Sequence, residues 1–266
     1  MNRASTYRTS VLLFAAFTIA YNLTIAFHEL GHSTAVVLDG SRIQDFVLNP
    51  FSWSWNLGEG VHNVLFTCWG GVTFGLTYCV LPLLMIRWVR SNSLRLIMKM
   101  LAGCAFFING VYLLVGAQFN FGDGGELLKL GVDALQIIAL GTLYLVFAMM
   151  IWAELQIYLG LDAHTPFWQR LLVIMGGITP YMILILVYNL LFNPRQIAIW
   201  GGFAAIGVFA AILFACSGYV WAKFSPVANK QWQRPERDRY LFLLLAGIIL
   251  LSEFLIFGTP TNPFNF

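Results

Sequence analysis

The sequence predicts an all-α polytopic membrane protein, with about seven transmembrane helices and a small β-hairpin between the first two. Hydrophobic residues make up 59% of the 266-residue chain and charged residues 10%, and mean hydropathy is +0.75, too apolar for a soluble globular domain. Apolar runs long enough to cross a hydrocarbon core of about 30 Å recur at residues 11–38, 64–88, 94–117, 134–151, 171–192, 197–221 and 240–257. The longest polar-tolerant connection, residues 39–63, alternates in part in the manner of a strand. This composition leaves no room for a sizeable soluble domain. Nothing in it supports a nucleic-acid role, and in a membrane protein the placement of Lys and Arg informs more than the net charge of +3.

The first run follows Arg3 and Arg8, in the order of a signal sequence. No small-residue cleavage site precedes residue 28, so the run is expected to stay as an uncleaved anchor. Within it stands His28-Glu29-Leu30-Gly31-His32, an H-E-x-x-H pentad. Residues four apart share one face of a helix, so His28 and His32 can offer two imidazole nitrogens to one zinc ion, with Glu29 beside it as general base. The chain has only four His and six Glu, so chance rarely produces this spacing. A charged group within a span also costs roughly 2.5–3.5 kcal/mol on insertion scales, and such residues mark function.

In the 39–63 connection, Ser52-Trp53-Ser54-Trp55-Asn56-Leu57 alternates as a one-faced strand, with residues 42–48 as its partner and a turn at Asn49-Pro50. Its tryptophans also suit an interfacial aromatic belt. In the second run, Gly70, Gly71 and Gly75 permit close approach of another helix, and Pro82 can kink it. A further informative stretch runs from Asn109-Gly110 to Asn120-Phe121-Gly122-Asp123-Gly124-Gly125-Glu126, where an apolar helix meets three glycines around one aspartate. Glycines at this density break a helix and let the chain turn sharply, which can aim the Asp123 carboxylate between spans. Two histidines on one helix need a third ligand from elsewhere, and Asp123 is the best-placed candidate. The later runs repeat no motif and read as scaffold or gate. Glu154, Asp162, His164 and Glu253 read as interfacial. Cys68, Cys79, Cys104 and Cys216 lack C-x-x-C spacing and read as small buried hydrophobes.

A cytoplasmic N-terminus places 12 of the 15 Lys and Arg on the inside, among them Lys99, Arg170 and the 221–240 connection with Lys223, Lys230 and Arg234. That connection can touch anionic headgroups. Only Arg42, Lys129 and Arg195 then lie outside. In this orientation His28 lies about 18 Å of helix below the outer end of the first span, and Asp123 enters from that same side.

Phe27-His28-Glu29-Leu30-Gly31-His32, the short β-forming connection, the Gly-Gly span and the later Asp-Gly-Gly together resemble the site-2 protease family of intramembrane zinc metalloproteases. The likeness covers residues 21–130. It implies Zn2+ held by His28, His32 and Asp123, Glu29 as catalytic base, and Asn120 near an asparagine that helps hold the substrate strand. The family's N-x-x-P ahead of L-D-G is replaced here by Asn120-Phe121-Gly122-Asp123. Residues 1–133 are thus expected to form the zinc-protease-like core, and residues 134–266 additional helices of the same membrane domain.

The expected function is hydrolysis of peptide bonds in a membrane-embedded protein or peptide, within a lipid bilayer and with no obligate protein partner. Two alternatives stay open. One is a non-proteolytic zinc-binding membrane protein of the same fold. The other is a multi-pass prenyl-protein-type zinc protease, whose third ligand is a glutamate in an E-x-x-x-D pattern; none of the six glutamates has Asp four residues on, which leaves Glu126 or Glu154 for that role.

Overall fold

In a hydrocarbon environment each backbone N–H and C=O must be bonded within the protein, so apolar runs of this length fold as helices. The computed structural model describes residues 3–51, 54–162, 164–192, 194, 197–224 and 236–252. In chain order these form α1 (Arg3–Leu38), β1 (Arg42–Val47), β2 (Trp55–Glu59), α2 (Val64–Leu84), α3 (Asn92–Phe119), α4 (Gly122–Lys129), α5 (Ala134–Tyr158), α6 (Phe167–Phe192), α7 (Ile197–Phe224) and α8 (Glu236–Ser252). A single π turn, Gly71–Gly75, interrupts α2. Side-chain caps start three helices: Asn63 Oδ1 accepts from Phe66 N, Ser91 Oγ from Leu94 N, and Asp133 Oδ1 from Leu135 N.

Among the described residues six helices are long and apolar enough to cross a bilayer, and the chain is a multi-pass integral membrane protein. The seventh expected span is only partly described, as a shorter apolar stretch, Tyr240–Leu251. Ser52, Trp53, Arg195, Lys230, Arg234 and Glu253 lie outside the described residues. One core joins both halves of the chain. Leu13 and Phe17 of α1, Cys104 and Ile108 of α3, Trp152 of α5, Tyr181 of α6 and Phe214 of α7 are all buried within it.

The two strands pair antiparallel from Arg42 opposite Glu59 to Val47 opposite Trp55, with an irregularity between Ile43 and Asp45. The second strand therefore begins three residues later than the alternation suggests and runs on to Glu59. Ser54, expected within the strand, belongs to the turn instead. Ser54 Oγ accepts from Asn49 N, and Asn49 Oδ1 accepts from Phe51 N. At the other end of the hairpin, Asp39 accepts from Ser41 Oγ and from the N–H groups of His62 and Asn63, tying the end of α1 to the start of α2. These bonds, the one from Ser41 foremost, hold the Asp39 carboxyl below its usual range.

The turn does not rest on the surface; it enters the bundle between α1 and α6. The Tyr181 hydroxyl donates to the Pro50 carbonyl oxygen at 2.6 Å, with Asn22 Oδ1 3.0 Å from the same hydroxyl. Asn189 Nδ2 donates to the carbonyl oxygens of Phe51 and Ile185, and the Phe51 ring lies against Tyr181 and Tyr188. Non-helical backbone survives at this depth only where protein satisfies it, which accounts for Asn22, Tyr181 and Asn189 inside apolar spans. Replacing Tyr181 by Phe is expected to lower stability by about 1–2 kcal/mol, measured as thermal or SDS unfolding in detergent. An unchanged unfolding curve would show that this bond does not hold the turn.

Two cations of the inside count are packed into the protein. Arg170 is 0% exposed. Its guanidinium donates to the carbonyl oxygens of Leu161, Asp162 and Thr165 and to Gln156 Oε1. It thereby satisfies backbone carbonyls of the connection between α5 and α6. Lys99, also buried, pairs with Glu154 Oε2 at 2.5 Å. Expected as flank charges, both instead join neighbouring helices.

Candidate metal centre

The helical period of α1 places His28 and His32 one above the other, with their Nε2 atoms 3.2 Å apart. The position of this turn in the bundle is set by α2. A Cβ on Gly31 would stand 2.5 Å from the Gly70 carbonyl oxygen, and one on Gly75 would stand 2.7 Å from His28 Cα. The close approach expected of Gly70, Gly71 and Gly75 is thus made with α1, at the H-E-x-x-H turn itself. π turns recur at functional sites, and this one lies beside the histidines. The Thr67 carbonyl oxygen is 2.8 Å from His32 Nδ1, and the Gly71 N–H is 3.3 Å from the same nitrogen.

Asp123 arrives from α3, which ends at the same end of the bundle as α1. Asn120 closes α3 in the left-handed conformation (φ 56), Phe121 is extended, and Gly122 is again left-handed. The chain then turns back into α4 with Asp123 in its first turn. Asp123 therefore sits in a short helix that folds back on α3. Gly124 allows this, since a Cβ there would stand 2.6 Å from the Leu113 carbonyl oxygen. Cys68 of α2 leans on the same segment, with its Sγ 3.8 Å from the Asp123 carbonyl oxygen. The Asp123 carboxylate faces both imidazoles, Oδ2 at 3.1 Å from His28 Nε2 and Oδ1 at 3.4 Å from His32 Nε2.

Among the described residues these three form the one His, Cys, Asp or Glu group able to hold a metal ion, each offering a ligand atom within 4.8 Å of the others. The two Nε2 atoms, 3.2 Å apart, match one edge of a tetrahedron, since bonds of ~2.0–2.1 Å require donors about 3.3 Å apart, and the Asp123 carboxylate presents one oxygen to each imidazole. Asp123 Oδ2 is buried with no hydrogen-bond donor. The space beside the two Nε2 atoms is kept open by Gly71, where a Cβ would stand 2.4 Å from His32 Nε2 and 2.7 Å from His28 Nε2. An acceptor without a donor and a gap maintained by glycine both suit a bound cation.

His28, Glu29, His32 and Asp123 thus share one locus, with His28 3% and Glu29 8% exposed and His32 and Asp123 half-buried. Asn120 is the exposed left-handed cap of α3, a conformation asparagine tolerates, and that backbone role accounts for its identity. Glu126 is exposed and bonded to Lys129, and Glu154 is taken by Lys99, so neither stands with the histidines. Sequence reasoning passed over Asn109, Thr67, the contact role of Gly71, and Tyr112, whose ring lies edge-on to His28 at 5.5 Å. Asn109 Oδ1 is 3.1 Å from His28 Nδ1. The available signal was an amide side chain deep within an apolar span, which is by default a functional residue. Comparison with protein-family models, curated proteins and solved structures finds no match.

Proposed function

We propose that this protein is an intramembrane zinc metalloprotease that hydrolyses peptide bonds of membrane-embedded proteins or peptides. The observation that carries the reading is the convergence of His28, His32 and Asp123 within 4.8 Å, with the buried Glu29 adjacent in sequence to His28. His28, His32 and Asp123 would hold the metal. When bound, zinc supplies Lewis acidity, polarising a peptide carbonyl and acidifying water at neutral pH. Glu29 takes the proton from the attacking water and passes it to the leaving amine. His28 and Glu29 are buried, which strengthens the electrostatic action of charges there, while the half-buried Asp123 and His32 leave a route for water.

His28 lies ten residues before the end of α1, about 15 Å of helix, so a substrate must present its scissile bond below the membrane surface. A peptide bond within an intact helix is not open to attack, and the β1–β2 hairpin offers main-chain groups to hold an opened segment extended. With the N-terminus in the cytoplasm, the hairpin and the entry to the site face away from it.

The decisive experiment measures zinc per chain in detergent-purified wild type, His28→Ala, His32→Ala and Asp123→Ala, alongside cleavage of a transmembrane reporter. One zinc in the wild type and a loss of affinity of at least about 100-fold in each variant is expected. Full zinc in Asp123→Ala would remove the third ligand from this reading. Zinc without cleavage of any presented transmembrane segment would favour a non-proteolytic zinc protein.

A further inference from the structure

A metal takes an imidazole nitrogen only where that nitrogen carries a lone pair, and the partner of the opposite nitrogen decides where the ring proton sits. For His28 that partner is Asn109, on α3 and 81 residues away in the chain, at 3.1 Å from Nδ1. The orientation of the amide follows from its other bond, because Asn109 Nδ2 donates to the Ala105 carbonyl oxygen at 2.9 Å. With its NH2 group bonded within its own helix, Asn109 meets His28 through an acceptor. His28 therefore carries its proton on Nδ1 and its lone pair on Nε2.

His32 reaches the same tautomer by a different route. The Thr67 carbonyl oxygen, 2.8 Å from Nδ1, can only accept. The Gly71 N–H at 3.3 Å asks for the opposite tautomer, but that would set a lone pair against a carbonyl oxygen at the shorter distance. The shorter contact decides.

We propose that Asn109 is a positioning residue of the metal centre, fixing the ring orientation and Nδ1–H tautomer of His28 so that Nε2 is available to the metal. This role rests on the zinc reading above. A neutral amide does this without adding charge. Two neutral imidazoles and one carboxylate around Zn2+ leave a centre of net charge +1, which preserves its pull on substrate and water. A carboxylate at residue 109 would cancel that charge. Asn109 is 1% exposed, and both ends of its amide are bonded, so its place in an apolar span is balanced by these two contacts.

The test compares wild type, Asn109→Asp and Asn109→Leu in detergent, reading zinc affinity by chelator competition and the visible absorption of the cobalt-substituted protein. Leucine matches the volume but cannot accept. Asn109→Leu is expected to weaken zinc about 10–100-fold and alter the cobalt spectrum, whereas Asn109→Asp keeps an oxygen on Nδ1–H and both readouts. If Asn109 only fills space, the order reverses: leucine is harmless and the buried charge of aspartate is harmful, which would overturn the proposal. Should Asn109→Leu fail to fold, Asn109→Asp decides alone, and a loss beyond about tenfold in the folded protein would refute the role. A wild type that takes up no zinc removes the metal reading and this role together. Zinc-loaded wild type with an equally tight Asn109→Leu removes the role alone.

Discussion

Replacing Glu29 by Gln is expected to leave one zinc per chain while lowering cleavage of a transmembrane reporter by about 10²–10⁴-fold, the range that a positioned general base contributes. Glutamine keeps the shape and much of the hydrogen-bonding capacity of the side chain but cannot take a proton from water. Glu29 is 8% exposed and sits in the same helical turns as the two histidines. Its ionised form at that depth is unfavourable for folding, so the neutral variant should unfold no more easily than the wild type. Zinc content, melting and reporter cleavage measured on one preparation separate these effects. Wild-type cleavage by Glu29→Gln would place the base elsewhere. A drop in zinc together with activity would mean that Glu29 helps to hold the metal.

Gly71→Ala should weaken zinc binding, which Glu29→Gln leaves intact. The added methyl would stand 2.4 Å from His32 Nε2 and 2.7 Å from His28 Nε2, well inside contact distance. Neither ring can retreat freely, because Asn109 backs His28 and the Thr67 carbonyl backs His32. The expected result is a loss of zinc affinity of about 100-fold, with about 1–3 kcal/mol of overpacking strain. Gly202→Ala on α7 is the matched control: a Cβ there meets nothing within 4 Å, and alanine favours a helix over glycine by about 1 kcal/mol. Zinc held equally well by both variants would show that the space beside the imidazoles is not the metal's.

The patterns that were legible in the sequence are those with a short period. Hydropathy runs located the helices to within a few residues at most ends, and the 3.6-residue period was enough to put His28 and His32 on one face. Asn120-Phe121-Gly122 announced a break after α3, since glycine and asparagine are the residues that take the left-handed backbone found there. Alternation around Trp55 announced the hairpin but not where its second strand begins, because Pro50 and Phe51 bond to Tyr181 and Asn189 more than 130 residues away. No local window contains that information. The same holds for Arg170, counted with the solvated flank charges and found capping the carbonyls after α5.

Water exclusion and helical periodicity act on neighbours along the chain, so the sequence alone determined a polytopic helical protein with a two-histidine face inside its first span. The tertiary structure decided the rest: that Asp123 reaches both imidazoles, that Asn109 and Thr67 stand behind them, and that Gly71 leaves the gap between. Those relations depend on how closely α1, α2 and α3 approach one another. That approach is governed by backbone contacts at Gly31, Gly70, Gly75 and Gly124, where a fraction of an ångström of packing separates a closed set of ligands from scattered side chains.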